Sequence, residues 1–208
     1  MSAQITLITV HKGVDLHAAT ALRVMQNRLA DGERLLALTR AEYYTFWDAD
    51  RHDLSVAKLL TMGRFYNPNK HHYGHFFLAD GGAPWFQSSS RGELLPSRWP
   101  GVPQGSDREV DPEVAVSDLY DLLLGRPRVP KCNAVDVCTY PLGEEGPLLA
   151  GVLWRLFMDS ATVDPITVAS RLTVTRGGRE GLLVNPHMQG WRLAVCKKPF
   201  LHSQSVSS

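Results

Sequence analysis

The sequence predicts an α+β protein built from two tandem β-α-β-β-α-β units. Three observations lead to that expectation. The stretch Gly63-Arg64-Phe65-Tyr66-Asn67-Pro68, with Tyr73 six positions after its Asn, returns more than half the chain later as Gly181-Leu182-Leu183-Val184-Asn185-Pro186 with Trp191. A repeat at that distance marks duplication of a domain, not a short solenoid array. Each copy opens an apolar, aromatic-rich run that reads as a strand. Helix patterns with good start signals alternate with β-rich runs in both halves.

Taken in order, Ile5 to Val10 is a short β-rich run closed by His11-Lys12-Gly13. Asp15 stands at a helix N-cap, and Ala18, Ala21, Leu22, Met25 and Leu29 follow at helical spacing before Asp31-Gly32. Leu35 to Leu38 and Glu42 to Trp47 read as two strands or one bent hairpin. Asp53 is placed to cap a short helix from Leu54 to about Met62, with Val56, Leu59 and Leu60 as its apolar stripe. Pro68 cannot continue a helix and biases Asn67 toward extended backbone, so Tyr73 to Leu78 is the last strand of the first unit.

Asp80 to Asp107 changes character, with Gly81-Gly82, four prolines and Ser88-Ser89-Ser90. It reads as a connector with one strand near Trp85 to Gln87. Asp111-Pro112-Glu113 starts a helix ending at Gly125, and Asp164-Pro165 starts another with Ile166, Ala169 and Leu172 inward. Strands are expected over Ala134 to Tyr140, Gly151 to Met158 and Trp191 to Cys196. The expected domains are 1–80, a connector 81–108, 109–198 and a Ser-rich tail 199–208. This order is that of two ferredoxin-like units, each an antiparallel sheet with both helices on one face. The other face is apolar enough to need a partner. The expected partner is the sheet of the second unit, in a pseudo-twofold sandwich.

Composition narrows the functional classes. The 22 basic and 21 acidic residues give a net charge of +1, which supplies no overall field to gather nucleic acid or anionic lipid. Three cysteines, Cys132, Cys138 and Cys196, form no Cys-x-x-Cys pair, which fits a reducing compartment rather than a disulfide framework or structural zinc. The N-terminal Met-Ser-Ala-Gln-Ile-Thr-Leu carries no charged head and long apolar core, and no apolar run approaches the roughly 20 residues of a membrane span. A cytoplasmic protein is expected.

The first half, in Ile8-Thr9-Val10-His11-Lys12-Gly13-Val14-Asp15, resembles the small PurS subunit of phosphoribosylformylglycinamidine synthase, whose members open with a strand and a Lys-x-Gly-Val-x-Asp-like turn. The same family closes with a Leu-Leu-x-Asn-Pro segment, which Leu182-Leu183-Val184-Asn185-Pro186 matches and Phe65-Tyr66-Asn67-Pro68 follows more loosely. The likeness covers about residues 5–79 and 109–196. It implies a non-catalytic subunit in purine biosynthesis, without cofactor, that bridges a glutaminase subunit to a synthetase subunit. Family members are usually one unit long, whereas this chain has two and a Pro-rich connector. Duplicated PurS-like units also resemble the N-terminal part of the large single-chain synthase.

Candidate contact residues cluster at the repeat: Asn67, Asn69, His71 and Tyr73 in the first copy, and Asn185, His187 and Trp191 in the second. The Asn-Pro pairs read first as turn formers, since Asn side chains bond nearby backbone groups. A second reading is a metal site. His71 and His75 share a strand face while His72 points opposite, and a third ligand would have to come from His187 or His52. A third is an RNA-binding sheet using Tyr43, Tyr44, Phe46 and Trp47, which the small net charge disfavours. Arg176-Gly177-Gly178-Arg179 precedes a strand, not a helix, and so reads as a turn rather than a phosphate loop. Cys138 and Cys196 fall in expected strands, where buried, inert thiols are usual.

Overall fold

The structure, a computed structural model, describes residues 4–47, 53–78, 132–142 and 148–195. The expected connector, its strand near Trp85, the helix from Asp111, His52, Cys196 and the tail lie outside these residues. The described elements are β1 (Gln4–His11), α1 (Leu16–Arg28), β2 (Leu35–Phe46), α2 (Val56–Thr61), β3 (His71–Leu78), β4 (Cys132–Pro141), β5 (Leu148–Asp159), α3 (Pro165–Thr173) and β6 (Gln189–Val195).

Local chemistry accounts for the helices. Asp15 caps α1 by accepting from the His17 and Ala18 N–H groups at 2.9 and 3.2 Å. Its apolar face then buries Ala18 and Met25, with Ala21, Leu22 and Leu29 packed beside them. Asp164 accepts from the Thr167 N–H at 3.1 Å and Pro165 opens α3, as its missing N–H permits. The α3 residues turned inward are Val168, Ala169 and Leu172, whereas Ile166 faces outward. The cap of α2 is Ser55, which accepts from the Lys58 N–H at 3.3 Å, and not Asp53. Asp53 adopts a positive φ of 50° and pairs instead with the Lys58 ammonium.

The six strands form one antiparallel sheet in the order β3-β1-β2-β5-β4-β6. Two facing sheets are therefore not what these strands make; the halves meet edge to edge along β2 and β5. Leu35 to Phe46 is a single strand, irregular only between Leu35 and Ala37, rather than two. The first half is thus β-α-β-α-β. The order of strands is palindromic, with β3, β1 and β2 mirrored by β6, β4 and β5. Leu38 pairs with Leu156 and Phe46 with Leu148, and the midpoint between them is Glu42 opposite Val152.

Directly paired residues share a face. One face packs α1 and α3 on Leu38, Val135, Val137, Trp154 and Leu156, and a second cluster packs Leu59 of α2 with Ile5, Leu7, Phe46 and Phe65. The opposite face is also buried at Thr6, Ile8, Tyr43, Leu153, Arg155 and Phe157. It carries two polar pairs: Thr6 and Thr45 hydroxyls 3.0 Å apart, and a two-pronged Arg155–Asp136 ion pair at 2.7 and 2.9 Å.

Candidate binding surface at the two Asn-Pro turns

The repeated sequence is a repeated geometry. Asn67 accepts from the Asn69 N–H through its side chain at 2.9 Å, and Asn185 does so from the His187 N–H at 3.1 Å. Each is an Asx turn, the local bond that Asn makes readily. The Asn67 carbonyl takes the N–H groups of Lys70 and His71 at 3.0 and 2.8 Å; the Asn185 carbonyl takes those of Met188 and Gln189 at 3.0 and 2.8 Å. Four residues before each Asn stands a glycine in the left-handed region, Gly63 at φ 67° and Gly181 at φ 75°. A bond from the preceding strand completes each turn: Lys12 N–H to Lys70 carbonyl at 2.8 Å, and Leu142 N–H to Met188 carbonyl at 2.9 Å.

One further bond is made with different chemistry in the two copies. The Asn67 N–H donates to His71 Nδ1 at 3.3 Å, and the Asn185 N–H donates to Gln189 Oε1 at 2.9 Å. A neutral imidazole has one lone pair in its plane, so this bond places the His71 proton on Nε2. Burial and the neighbouring His11 hold the His71 pKa below the ordinary value, with Lys70 adding to the effect and Glu42 opposing it.

The strand geometry sorts the candidate residues. His71, Tyr73 and His75 lie on the helix-bearing face, with His72 on the other. His71 meets the His11 ring edge-on at 4.9 Å, Tyr73 meets Tyr66 at 4.9 Å, and Tyr73 and His75 are near parallel at 6.3 Å. His75 is buried, and burial lowers its pKa to about 4. His187 lies at the head of β6, on the far edge of the sheet. Five strand spacings separate the two edges, a distance on the order of 24 Å. His187 is therefore no third ligand to His71 and His75, and among the described residues no three His, Cys, Asp or Glu side chains converge on one point. A metal at His71 would also have to displace either the Asn67 N–H or the Nε2 proton.

Trp191 is half-buried against the main apolar cluster. Of the aromatics considered for base stacking, Tyr43 and Phe46 are buried and lie on opposite faces. Tyr44 is half-buried and donates to Glu42 at 2.8 Å.

Sequence patterning missed a polar strip between the two apolar clusters. Arg40 donates to Glu42 at 2.5 Å and to Asp15 at 3.4 Å, and its guanidinium lies 5.7 Å from the Trp154 ring centre. Burial works to raise the Glu42 pKa, but the bonds from Tyr44 and Arg40 and the Arg40 charge outweigh it and hold the carboxyl low. The partners come from two strands and a helix cap, so no local motif announces them. Among the described residues no helix is long and apolar enough to cross a membrane. No family model, no curated protein and no solved structure matches this chain.

Proposed function

We propose that this chain is a non-catalytic adaptor of two PurS-like halves in one α+β sheet, whose two sheet edges hold larger protein subunits. One observation carries the reading: the same Asn-Pro turn leads into β3 and into β6, and among the described residues these are the two outer strands of the sheet. An outer strand presents a row of backbone donors and acceptors to which a partner strand can add. Placing the duplicated turn at both edges gives one chain two comparable docking positions facing away from each other. Asn69, His71, Tyr73, His187 and Trp191 lie at or just inside those positions. The PurS-like opening and closing motifs favour a glutaminase and a synthetase subunit of purine biosynthesis as the partners.

Residue-unselective photo-cross-linking mass spectrometry, with a diazirine reagent, on complexes recovered from the native host tests this. The expected cross-links join purine-pathway subunits to residues 63–72 and 181–190. Recovery of no glutaminase or synthetase subunit removes the purine role, and cross-links confined to the helices remove the edge-docking role. The shared face of His71 and His75 keeps a metal-binding alternative testable in the same preparation. Stoichiometric metal that is lost in a His71→Ala/His75→Ala variant would favour it.

A further inference from the structure

The two turns have the same backbone and opposite surfaces. The matching inter-strand bonds place Lys12 and Lys70 of the first turn where the second has Leu142 and Met188. Arg64, just after Gly63, corresponds to Leu182, just after Gly181. All three cationic positions are exposed, and all three of their counterparts are exposed apolar residues: Leu142 at 53%, Leu182 at 41% and Met188 at 67%.

The two turns share their scaffold bonds, and every outward side chain in this set differs in class between them. A solvated lysine face needs no such contrast, because lysine would serve solubility equally well at both ends. The Lys12 ammonium donates to the Pro68 carbonyl at 2.6 Å, which fixes its head over the turn, and Arg64 lies 5.3 Å from the Phe65 ring centre. Among the described residues no carboxylate pairs with Lys12, Arg64 or Lys70. The two acids of the strip are engaged elsewhere: Glu42 with Arg40 and Tyr44, and Asp15 with the α1 N-terminus and Arg40.

We propose that the first turn, through Lys12, Arg64 and Lys70, is a docking surface for an acidic, extended segment of a partner protein, while the second turn does not share this specificity. The proposal rests on the adaptor reading and sharpens it by making the two ends different. Charge complementarity selects an acidic partner. The choice of a peptide over nucleic acid follows from the neighbouring strand β3, whose outer backbone can pair with an extended chain, and from a net charge of only +1.

The full chain is titrated into a fluorescein-labelled peptide of alternating Val and Glu, with a Val-Gln peptide as control, and anisotropy is read at low and raised salt. The acidic peptide is expected to bind with an affinity that falls as salt rises, and the control to bind at least about tenfold more weakly. Lys12→Ser/Arg64→Ser/Lys70→Ser should cost about tenfold or more, whereas Leu142→Ser/Leu182→Ser/Met188→Ser should leave binding unchanged. Circular dichroism melting checks that both variants fold, as substitutions at exposed positions should. Equal binding by the two variants, no binding of the acidic peptide, or tighter binding of single-stranded RNA at the same salt overturns the proposal. Peptide binding can fail while cross-links still appear at both edges. In that case the adaptor reading stands and only the acidic specificity falls.

Discussion

Tyr43 lies across Gly151, its direct partner on the neighbouring strand, and donates its hydroxyl to the Thr139 carbonyl at 3.0 Å. A Cβ on Gly151 would fall 2.3 Å from the Tyr43 ring and 2.3 Å from that carbonyl. The tyrosine thus spans from β2 over β5 to β4 and fastens the two halves of the sheet. Gly151→Ala is expected to destabilise by about 1–3 kcal/mol or more through overpacking against backbone that cannot yield. Tyr43→Phe keeps the ring and should cost about 1–3 kcal/mol for the bonds lost to the Thr139 carbonyl and from the Cys138 thiol. Urea denaturation of both variants gives the two values, and a neutral Gly151→Ala would refute the close approach.

The Arg155–Asp136 pair is buried on the same face, with Arg155 at 2% exposure. Removing either residue leaves the other's buried charge without its two-pronged partner. Asp136→Ala or Arg155→Ala should therefore each cost about 3–5 kcal/mol. Replacing both at once should cost clearly less than the sum. A double-mutant cycle from denaturation curves measures the difference, and additive losses would show that the pair is not coupled.

His75 gives the fold a defined acid sensitivity. Its native pKa of about 4 lies below the ordinary 6.5 because burial disfavours the imidazolium. The unfolded chain then binds the proton first as pH falls. Stability is full above about pH 6.5 and is lost progressively down to about pH 4, by on the order of 2–3 kcal/mol from this group. A His75→Leu variant should lose that part of the pH dependence, as denaturation at neutral and mildly acid pH will show. Glu42 works in the same direction at lower pH, since its native pKa is held down and its contribution disappears on protonation.

Gly63 and Gly181 share a positive φ but not a packing environment. A Cβ at Gly63 meets nothing within 4 Å, whereas at Gly181 it would lie 2.0 Å from the Val174 backbone. Gly63→Ala should cost only the strain of the left-handed backbone, about 1–2 kcal/mol. Gly181→Ala should cost markedly more and shift the turn around Val184. Thermal melts rank the two variants, and equal losses would mean the second turn is less tightly packed than the structure shows.

Much of this fold was legible in local signals. Asp15 and Asp164-Pro165 mark helix starts because capping is a property of a few adjacent residues. Asn67-Pro68 and Asn185-Pro186 mark turns for the same reason. The α+β character and antiparallel strands follow from those signals. What could not be read was the company each strand keeps. Alternation tells which side chains share a face, but backbone hydrogen bonds leave no mark in sequence, so edge-to-edge joining of β2 and β5 was hidden. Arg40 fell in the gap between the expected strands Leu35 to Leu38 and Glu42 to Trp47, because its partners, Asp15, Glu42 and Trp154, are supplied by the fold. In α3, Ile166, Ala169 and Leu172 are as helical in spacing as Val168, Ala169 and Leu172, and only the position of the sheet decides between them. The proposed docking rim was half visible: the histidines stood out, while Lys12 and Arg64 gained meaning only once Leu142 and Leu182 were seen in their places.

The palindromic sheet also bears on descent. Were the two halves separate and identical, the midpoint of the β2–β5 seam would set each residue against its own copy. A glutamate at position 42 would then face another glutamate, a like-charge pair that weakens any cross-strand contact. In one continuous chain the two sides of the axis are inherited independently. Glu42 can keep its bonds to Arg40 and Tyr44 while Val152 stands opposite it. A single chain thereby leaves open to variation a position that exact twofold symmetry would close.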